Sequence, residues 1–440
     1  MVKPLRVAIA GLGTVGAAVV RLLETHRETL AARCGREIRV VAVSARDRSR
    51  DRGVDLSGVS WYDDPVEMAA RHDIDVFVEL MGGAGGVALE AVELALDHAT
   101  DVVTANKAML AAHGEALARR AEAHGVGLFF EASVAGGIPI VKTLRESLAG
   151  NRVSRVSGIL NGTCNYILSR METEGLTFEA CLADAQRLGY AEADPTFDVG
   201  GFDTAHKLAI LTSLAFGTAI DAEAIHVEGI SAITPLDLKM ADELGYRIKL
   251  LGVAERTATG IEQRVHPTMV PTSWAIAQVM GVTNAVMLAA DAVGELTLVG
   301  PGAGGLATAS SVLSDLVDIA RKANVPEFGQ PVATLESAAR APMQRHEGGY
   351  YIRLAVRDRP GAAAAIATRM AENQISLESI LQRRPAGARS GDRAGRPDGT
   401  VPVVLITYAT TEAAIRSAIE AMMADGHVAE PPQVIRIERD

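Results

Sequence analysis

The chain has 440 residues, enough for about two or three domains, and its 48% hydrophobic and 22% charged residues are ordinary for a globular protein. The formal net charge of −11 argues against nucleic acid or an anionic membrane surface as the main partner. No apolar stretch of about eighteen residues is free of glycine and charge, so no membrane-spanning helix is expected.

Residues 1–135 are predicted to form one α/β domain with a doubly wound parallel sheet of the Rossmann type. Apolar stretches of strand length alternate there with helical segments, which places helices on both faces of a parallel sheet. The first strand and helix lie in 5–26, and the other predicted strands lie at 38–45, 75–83, 101–106 and 125–133. A helix is predicted at 108–124, between the last two strands.

Residues 136–306 are predicted to form a second, mixed α+β domain, because helical stretches mix there with segments of alternating polarity. The helical stretches lie at 137–149, 177–188, 203–216, 240–247 and 273–280. The amphipathic stretch 307–324 is expected to be a helix that returns to the first domain and completes it. Residues 325–348 contain Pro and Gly and show little periodicity, so we interpret them as a linker.

Residues 349–440 are predicted to form a separate unit with the element order βαββαβ, which is ferredoxin-like. The patterns lie in "YYIRLAVRDRPGAAAAIATRMAENQISLESILQR", "VPVVLITYAT" and "TEAAIRSAIEAMMADG", and "VIRIER" supplies the last strand. The segment 383–400 is dominated by Gly, Arg, Pro and Asp, so it is predicted to be a disordered hairpin loop.

A glycine-rich turn follows the first strand and opens the first helix. In that context the pattern G-x-G-x-x-G favours dinucleotide binding, because its glycines allow a tight turn, close approach of a pyrophosphate and close helix–sheet packing. The helix N-terminus attracts the phosphates. The alternative is an ordinary glycine-rich turn. The candidate cofactor-binding residues of the turn are Gly11, Leu12, Gly13, Thr14, Val15 and Gly16.

The end of the second predicted strand bears on the choice between NAD and NADP. An NAD site usually has an acidic residue there to hold the ribose hydroxyls, whereas this chain has Arg46, with Arg48 and Arg50 nearby. A basic residue suits the 2′-phosphate of NADP, so we expect NADP and leave the use of NAD open. The alternative is that this basic loop is simply solvated.

The segment 192–210 brings acidic residues to the start of a predicted buried helix. The charged residues of interest are Glu192, Asp194, Asp198, Asp203 and Lys207. Asp203 and Lys207 are four residues apart with the acid first, the favourable orientation for a helical ion pair. A purely structural pair is one interpretation. The other is a site for a substrate with an amino group and a carbonyl, because unpaired buried charge is costly.

Longer motifs resemble those of the homoserine dehydrogenase family. The segment "AQRLGYAEADPTFDVGGFDTAHK" (185–207) is similar to the family signature. The flanking motifs that agree with it are "VTANK" (103–107), "FFEASVAGGIPI" (129–140), "NGTCNYIL" (161–168) and "GPGAGG" (300–305). "VRDRPG" (356–361) and "ENQISLESILQ" resemble an ACT domain, the amino-acid-sensing module. No kinase-like segment precedes Val2, so we expect a monofunctional form of the enzyme.

The resemblance implies interconversion of L-aspartate 4-semialdehyde and L-homoserine, with hydride transfer at nicotinamide C4, in threonine, methionine and isoleucine biosynthesis. It makes Lys207 the acid/base that transfers the proton, and Asp203 the residue that orients Lys207 or a water. Lys107 is expected near nicotinamide and substrate, where it orients the carbonyl. Glu192 and Asp198 are expected to hold the substrate ammonium. The further implied cofactor-binding residues are Gly82, Lys107 and Gly302.

The resemblance also implies a structural monovalent cation, such as Na+, in the loop 129–140. The ligands carried over are the side chain of Glu131 and the backbone carbonyls of Val134, Gly136 and Ile138. An all-oxygen ligand set suits a hard cation and does not suit zinc. The alternative is a well-packed glycine-rich turn without an ion.

The ACT-like unit implies an amino-acid effector in addition to the substrate. Threonine is the expected effector, as an end product of the pathway. Such units usually pair side by side, which implies a homo-oligomer, either a dimer or a tetramer. An ACT unit kept only for assembly is one alternative. A sensing protein that has lost catalysis is another, and the retained Lys107 and Lys207 argue against it.

The three cysteines, Cys34, Cys164 and Cys181, lack metal or redox spacing, which is consistent with a reducing cytoplasm. Cys164 suggests an alternative enzyme, an aldehyde dehydrogenase that forms a thioester. A nucleophilic cysteine needs a neighbouring base, and no histidine lies in the same segment, so we interpret Cys164 as a packing residue.

Overall fold

The structure, a computed structural model, describes residues 3–323, 325–382 and 400–438. The strands of the first sheet are β1 (Leu5–Ala10), β2 (Ile38–Ser44), β3 (Ser60–Tyr62), β4 (Val76–Glu79), β5 (Asp101–Thr104) and β6 (Leu128–Phe129). They pair in parallel in the order β3-β2-β1-β4-β5-β6. The order reverses between β1 and β4, and ligands of open α/β sheets bind at such a point, outside the carboxyl ends of the strands.

Helices cover both faces of this sheet. They are α1 (Thr14–Thr25), α2 (Arg27–Cys34), α3 (Pro65–Ala69), α4 (Val87–Asp97) and α5 (Lys107–His124). β1 and β4 are almost entirely buried, as expected of parallel strands with helices on either side. The predicted Rossmann-type sheet is confirmed.

The middle of the chain forms a second, mixed sheet with its own helices. Its strands are β7 (Val153–Ile159), β8 (His226–Val227), β9 (Tyr246–Thr257), β10 (Gly260–Pro271), β11 (Thr283–Ala290) and β12 (Gly294–Pro301). Its helices are α6 (Ile140–Lys142, continued by a π-helix at Thr143–Ser147), α7 (Gly162–Glu174), α8 (Phe178–Arg187), α9 (Thr196–Val199), α10 (Phe202–Phe216) and α11 (Pro235–Glu243), and α12 (Gly305–Arg321) follows β12. The order β12-β11-β7-β9-β10 is antiparallel, and β8 pairs in parallel with β10.

The helix predicted at 240–247 is placed too late, because α11 is Pro235–Glu243 and β9 already begins at Tyr246. Thr234 caps α11 in a capping box with Asp237, and Pro235 occupies the first helical position, signals that set an earlier start. The stretch 273–280 contains only a short 3-10 helix. The 3-10 helices are Glu131–Ser133, Ala222–Ala224, Ala275–Gln278, Val332–Thr334 and Met343–Arg345.

α12 packs on the first sheet, beside α1. Val312 and Leu316 of α12 share a buried cluster with Val7 and Ile9 of β1. The segment that follows α12 carries no long element, yet Phe328 is buried in the large central cluster. Its later residues form isolated β-bridges to the middle of the chain, with Glu336 opposite Thr218 and Arg340 opposite Ile261.

The C-terminal unit has the ferredoxin-like order that was predicted. Its elements are β13 (Glu347–Arg357), α13 (Ala362–Glu372), β14 (Leu377–Gln382), β15 (Thr400–Thr407), β16 (Thr410–Thr411), α14 (Glu412–Ala424) and β17 (Gln433–Ile437). The main strands pair antiparallel in the order β17-β13-β15-β14, and β16 is an additional two-residue strand. The predicted disordered loop is 383–400, of which 383–399 lie outside the described residues and Thr400 begins β15.

The C-terminal unit continues the second sheet instead of standing apart from it. β17 pairs in parallel with β10, with Thr268 opposite Arg436 and Met269 opposite Ile437. One eleven-stranded sheet therefore contains the strands of both parts. In the part of the chain that the structure describes, no helix is long and apolar enough to span a bilayer.

Candidate active site

The glycine-rich turn packs tightly against neighbouring backbone on the side that faces the interior of the domain. Gly11 has a φ of 101°, and a Cβ atom there would lie 2.6 Å from the carbonyl oxygen of Leu80. A Cβ atom at Gly16 would lie 2.0 Å from the carbonyl oxygen of Gly11, which only glycine avoids. At Gly13, by contrast, the corresponding position has no atom within 4 Å. The turn is therefore open where a pyrophosphate can approach the backbone.

A cavity of about 630 Å³ lies beside this turn, between the N-termini of α1 and α12. Two helix N-termini offer N–H groups and positive dipole ends to an anion. Arg50 and Arg52 also line the cavity, and Arg52 Nε donates to the carbonyl oxygen of Leu12 at 3.0 Å. Arg46 is exposed and is not among the lining residues. The basic segment predicted to bind the cofactor therefore contributes Arg50 and Arg52 to the cavity, and not Arg46.

Of the remaining candidate cofactor residues, Thr14 lines this cavity, whereas Val15, Gly82 and Gly302 are not among its lining residues. Thr14 and Val15 are the first residues of α1. Gly82 follows β4 with a φ of 83°, and its N–H donates to Glu79 Oε1 at 3.0 Å. Gly302 follows β12, where a Cβ atom would lie only 2.0 Å from the Asn284 side chain.

Lys107, Asp203 and Lys207 form a cluster at the carboxyl end of the first sheet. Lys107 is the first residue of α5, directly after β5, and Asn106 caps that helix by accepting the N–H of Met109 at 3.1 Å. Asp203 and Lys207 lie one turn apart on α10. Lys207 Nζ lies 2.6 Å from Asp203 Oδ2, and Lys107 Nζ lies 3.0 Å from Asp203 Oδ1. Each oxygen of Asp203 therefore holds a different lysine.

Asn161 connects this cluster to Asp198. As the N-cap of α7, Asn161 accepts the N–H of Cys164 with Oδ1 at 2.8 Å. Its Nδ2 donates to Asp203 Oδ2 at 2.9 Å and to Asp198 Oδ1 at 2.8 Å. Asn161 was not among the predicted site residues, although an Asn before the helical stretch "GTCNYIL" is a typical capping signal.

The two carboxyl groups of the cluster have opposite pKa shifts. Burial alone would raise the pKa of Asp203, but the charges of Lys207 and Lys107 outweigh this and hold it well below its ordinary value. Burial raises the pKa of Asp198 despite the hydrogen bond from Asn161, and the negative charge of Asp203 adds to the rise. Asp203 is thus a fixed anion, whereas Asp198 is easier to protonate than an ordinary aspartate.

Glu192 does not join the cluster. It lies in the exposed stretch between α8 and α9, where its backbone carbonyl accepts from Gln186 Nε2 at 3.0 Å. Within the described residues, no hydrogen bond links its carboxylate to Asp198 or Asp203. The structure therefore brings together four of the six charged residues singled out in the sequence: Lys107, Asp198, Asp203 and Lys207. Asp194, like Glu192, is exposed, and its carboxylate accepts the N–H of Thr196 at 3.1 Å.

Cys164 contacts the cluster as a protonated thiol. Its Sγ donates to the backbone carbonyl of Asp198 at 3.2 Å, and the residue is fully buried. Burial raises the pKa of the thiol well above its ordinary value, and the charges of Asp198 and Asp203 add to the rise. A thiol held in this way is a poor nucleophile, which argues against thioester chemistry.

Glu131 lies in a buried acidic pocket next to α6. Its carboxylate accepts the N–H groups of Val141 at 3.0 Å and Lys142 at 2.8 Å, and its own N–H donates to Asp315 Oδ2 at 3.0 Å. Burial raises the pKa of Glu131 to about 7, and the charge of Asp315 adds to the rise. Burial likewise raises the pKa of Asp315 to about 6.

The loop carbonyls predicted to join Glu131 belong to buried residues, Val134, Gly136 and Ile138. The carbonyl of Gly136 accepts from Ser311 Oγ at 2.6 Å. Carboxylate and carbonyl oxygens fit a hard monovalent cation, and the two buried carboxylates favour a positive charge. Over 3–323, 325–382 and 400–438, no group of three or more His, Cys, Asp or Glu could hold a metal ion, so a cation here would depend on carbonyls.

Comparison with known proteins accounts for nearly the whole chain. Three family profiles match it, for the homoserine dehydrogenase NAD-binding domain (11–131), homoserine dehydrogenase (139–317) and the ACT domain (350–404). A homoserine dehydrogenase from Pseudomonas aeruginosa is 45% identical over 443 residues and covers 99% of each chain. The chain belongs to the homoserine dehydrogenase family.

Solved structures of this family have the same fold. The crystal structure of a homoserine dehydrogenase from Thiobacillus denitrificans aligns with a TM-score of 0.91 and 42% identity, over 99% of this chain and 98% of that one. A hyperthermophilic archaeal homoserine dehydrogenase in complex with NADPH aligns with a TM-score of 0.62 and 27% identity, over 73% of this chain and 99% of that one. The chain is therefore an oxidoreductase that acts on a CH–OH group, with a domain for a nicotinamide cofactor and a C-terminal ACT domain.

Proposed function

We propose that the chain interconverts L-homoserine and L-aspartate 4-semialdehyde at the cluster of Lys107, Asp203 and Lys207. The observation that carries this proposal is the division of the Asp203 carboxylate between two lysines, at 2.6 and 3.0 Å. This geometry supports two ammonium groups facing one substrate oxygen. The nicotinamide, when bound, supplies or accepts the hydride at its C4.

Lys207 is the proposed proton donor and acceptor. Its Nζ donates to the backbone carbonyl of Leu160 at 2.7 Å and to Asp203 at 2.6 Å. An ammonium group has three N–H donors, so the third is available to the substrate oxygen. In the reductive direction Lys207 gives its proton to the oxygen on which negative charge develops, and in the oxidative direction it takes the proton from the hydroxyl.

Lys107 and the acidic residues position the substrate. The Lys107 side chain is 34% exposed, which supports a role at the mouth of the site, where it orients and polarises the carbonyl. Asp198 and Glu192 are the proposed partners of the substrate ammonium. Asp198 is tied to the cluster through Asn161, so its carboxylate has a defined place relative to Lys207.

NADP is the proposed cofactor, with NAD as the alternative. The open face of the turn at Gly13 supports pyrophosphate binding, and Arg50 and Arg52 beside the cavity support a 2′-phosphate. The archaeal relative in complex with NADPH is consistent with this choice. The test is a steady-state assay with homoserine and each cofactor. Absence of turnover with both would contradict the proposed activity, and equal kcat/KM values would contradict the preference.

A monovalent cation such as Na+ is the proposed structural ion. The residues that would hold it are the carboxylate of Glu131 and the carbonyls of Val134, Gly136 and Ile138. A cation there would offset the buried carboxylates and fix the loop between the first sheet and α6. This loop also contacts α12, because Ser311 donates to Gly136.

Threonine is the proposed effector of the ACT domain, and a dimer or tetramer is the proposed assembly. The support for an amino-acid effector is the family assignment of residues 350–404. Allostery further requires that threonine bind two states of the protein with different affinities. Activity and melting temperature, measured together at increasing threonine concentrations, test the effector. Light scattering coupled to size-exclusion chromatography tests the assembly.

A further inference from the structure

Arg436, on the last strand of the ACT domain, joins that domain to the middle of the chain. It is 3% exposed and lies opposite Thr268 where β17 pairs with β10. Inside the ACT domain it donates to Glu412 from Nε at 3.1 Å and from Nη2 at 2.9 Å. The boundary between the C-terminal unit and the middle of the chain, where β17 pairs with β10, is called the seam below. Across this seam Arg436 donates to both carboxylate oxygens of Glu228, at 3.0 and 3.1 Å. A two-bonded Arg–carboxylate pair fixes orientation as well as distance.

Glu228 also makes hydrogen bonds within the middle of the chain. Its N–H donates to the carbonyl of Val265 at 2.7 Å, directly after the β8–β10 pairing, and its Oε1 lies 2.7 Å from His226 Nε2. Burial alone would raise the pKa of Glu228, but the hydrogen bonds from His226 and Arg436 hold it well below its ordinary value. Glu228 is therefore an anion whose carboxylate is held by both His226 and Arg436.

The residues after Glu228 are packed directly on α9. The N–H of Ile230 donates to the carbonyl of Val199, the last residue of α9, at 2.9 Å. A Cβ atom at Gly229 would lie 2.4 Å from the same carbonyl oxygen. At Gly201, between α9 and α10, a Cβ atom would lie 3.1 Å from side-chain carbons of Val227 and Val265. This contact leaves little room for the loop and α9 to move separately.

α9 carries the carboxylate that faces the cluster. Asp198 precedes Val199, accepts from Asn161 at 2.8 Å, and is linked through Asn161 to Asp203. A continuous series of direct contacts therefore runs from Arg436 through Glu228, the 228–230 backbone and α9 to Asp198. Each step is a hydrogen bond or a close packing contact between described residues.

We propose that the Arg436–Glu228 ion pair is a positioning contact that sets the place of α9, so that the last ACT strand helps to build the site for the substrate ammonium. The proposal rests on the proposed role of Asp198 in holding that ammonium. Breaking this pair removes the bidentate contact that orients the Glu228 side chain, so the 228–230 loop is free to rearrange, while Arg436 keeps Glu412 as a partner. Asp198 would then lose its defined place, while Lys107, Asp203 and Lys207 keep their mutual contacts.

The first test is Glu228→Gln in the full chain, which keeps the shape of the side chain and removes its charge. We expect KM for homoserine to rise about five- to tenfold, with kcat changed less than about twofold, a range typical of couplings carried through packed contacts. Arg436→Lys, which keeps the charge but loses the two-bonded geometry, should give a smaller rise in KM in the same direction. If Glu228→Gln does not fold, Arg436→Lys alone tests the proposal.

The matched control is Arg155→Gln. Arg155 Nη2 pairs with Glu438 Oε2 at 2.8 Å across the same seam, but Arg155 lies on β7, away from the 228–230 loop. Arg155→Gln should lower the melting temperature without raising KM for homoserine. If it raises KM as much as Glu228→Gln does, the seam merely holds the ACT domain in place and the positioning role is wrong.

A double-mutant cycle separates this inference from the proposed function on which it rests. Asp198→Asn alone should raise KM for homoserine, and combining it with Glu228→Gln should add little, because both act on one contact. If Asp198→Asn leaves KM unchanged, the ammonium assignment fails. If Asp198→Asn raises KM and Glu228→Gln does not, or if their effects on kcat/KM simply add, the assignment stands and the positioning role is overturned.

Discussion

Lys207 Nζ lies 2.6 Å from Oδ2 of Asp203, one helical turn before it on α10, and both side chains are almost fully buried. A buried pair of this kind is a weak source of stability, since desolvation offsets the attraction between the charges. The second oxygen of Asp203 is also occupied, by Lys107 at 3.0 Å. The two ammonium groups share the Asp203 carboxylate and can face one substrate oxygen, which suits an oxygen that becomes negative during reaction.

Lys207→Met should abolish nearly all turnover while leaving the fold intact. Methionine fills a similar volume, and Asp203 keeps Lys107 and Asn161 as partners, so the remaining charges stay paired. Losing a general acid/base typically costs about 10²–10⁴-fold in rate. The measurement is kcat for homoserine oxidation, together with cofactor affinity by fluorescence titration. A variant that kept most of its kcat would show that another group transfers the proton.

Glu192→Gln and Asp198→Asn should both raise KM for homoserine more than they lower kcat, because each removes a charge that pairs with the substrate ammonium in the ground state. We expect the larger effect from Asp198→Asn, since Asp198 is fixed by Asn161 whereas Glu192 is exposed. The measurement is a full steady-state analysis at saturating cofactor. An unchanged KM for Glu192→Gln would assign the ammonium to Asp198 alone.

The pH dependence of KM gives a further check on Asp198. Its pKa is raised above the ordinary aspartate value, so as the pH falls it takes up a proton before an ordinary aspartate would. KM for homoserine should therefore rise on the acid side of the profile, and Asp198→Asn should flatten that rise. If KM for homoserine still rises at low pH in Asp198→Asn, another group causes that rise.

Much of the fold was predictable because its signals are local. Gly11, Gly13 and Gly16 follow a buried strand at fixed spacing. A Cβ atom at Gly11 or Gly16 would clash with backbone, whereas the position at Gly13 is open. The pairing of β17 with β10 was not predictable, because periodicity identifies strands without saying which distant strand will lie beside them. The helix predicted at 240–247 was placed too late for a different reason, since its capping signals at Thr234 and Pro235 were overlooked.

The candidate site was predictable to the extent that it depends on charge. Lys107, Asp203 and Lys207 were identified from motifs, and the structure places them within hydrogen-bonding distance of one another through Asp203. Asn161 was missed because a neutral side chain that caps a helix gives no sign of a second hydrogen-bonding task. Arg52 was missed because local geometry of the loop decides which of several nearby arginines reaches the cavity.

Sodium should stabilise the protein more than choline at the same ionic strength. A small cation that binds only the folded state raises the melting temperature with its concentration, whereas choline is too large for a loop carbonyl site. The measurement is a melting curve in NaCl and in choline chloride. Glu131→Gln should remove the difference, because the carboxylate is the charged ligand.

Asp318→Asn is the control for this experiment. It removes a carboxylate that pairs with Lys142 beside the same pocket but is not among the proposed ligands. The difference between sodium and choline should persist in Asp318→Asn. Equal melting temperatures for the unaltered protein in the two salts would contradict the cation site.

Lys249 should make the protein more stable as the pH rises from neutral to mildly alkaline values. Its ammonium is buried, with the carbonyl of Val279 at 2.6 Å and Asn165 Oδ1 at 3.0 Å, and burial lowers its pKa from 10.5 to about 8. Between these values the unfolded chain binds more protons than the folded chain, so the free energy of unfolding increases with pH. Below pH 8 both states are protonated and the cost of burial is fully present.

Lys249→Met isolates this contribution from other groups that titrate in the same range. From pH 7.5 to 9.5 the unaltered protein should gain about 1–2 kcal/mol in free energy of unfolding relative to the variant. Urea unfolding at both pH values is the measurement. A difference between the two proteins that does not change with pH would show that Lys249 keeps its ordinary proton affinity on folding.

Threonine should inhibit the full chain and raise its melting temperature over the same concentration range. The turn at 358–361 leads into α13, whose free N–H groups can hold a carboxylate, and Gly361 has a φ of 90° at that point. Removing the ACT domain would be a poor test, because β10 would lose its partner β17 and expose the buried Arg264. The test therefore uses point variants of the full chain.

Ala363→Glu should weaken the response to threonine while basal turnover stays the same. Ala363 is exposed in the first turn of α13, where a glutamate is favourable for the helix dipole but repels the carboxylate of an incoming amino acid. Thr368→Glu adds the same charge to an exposed position further along α13 and should respond as the unaltered protein does. Activity and melting temperature are followed together during the titration, because binding to the folded state must shift both. Inhibition that persists unchanged in Ala363→Glu would place the threonine site elsewhere, and a melting temperature that never moves would leave the ACT domain with a role in assembly alone.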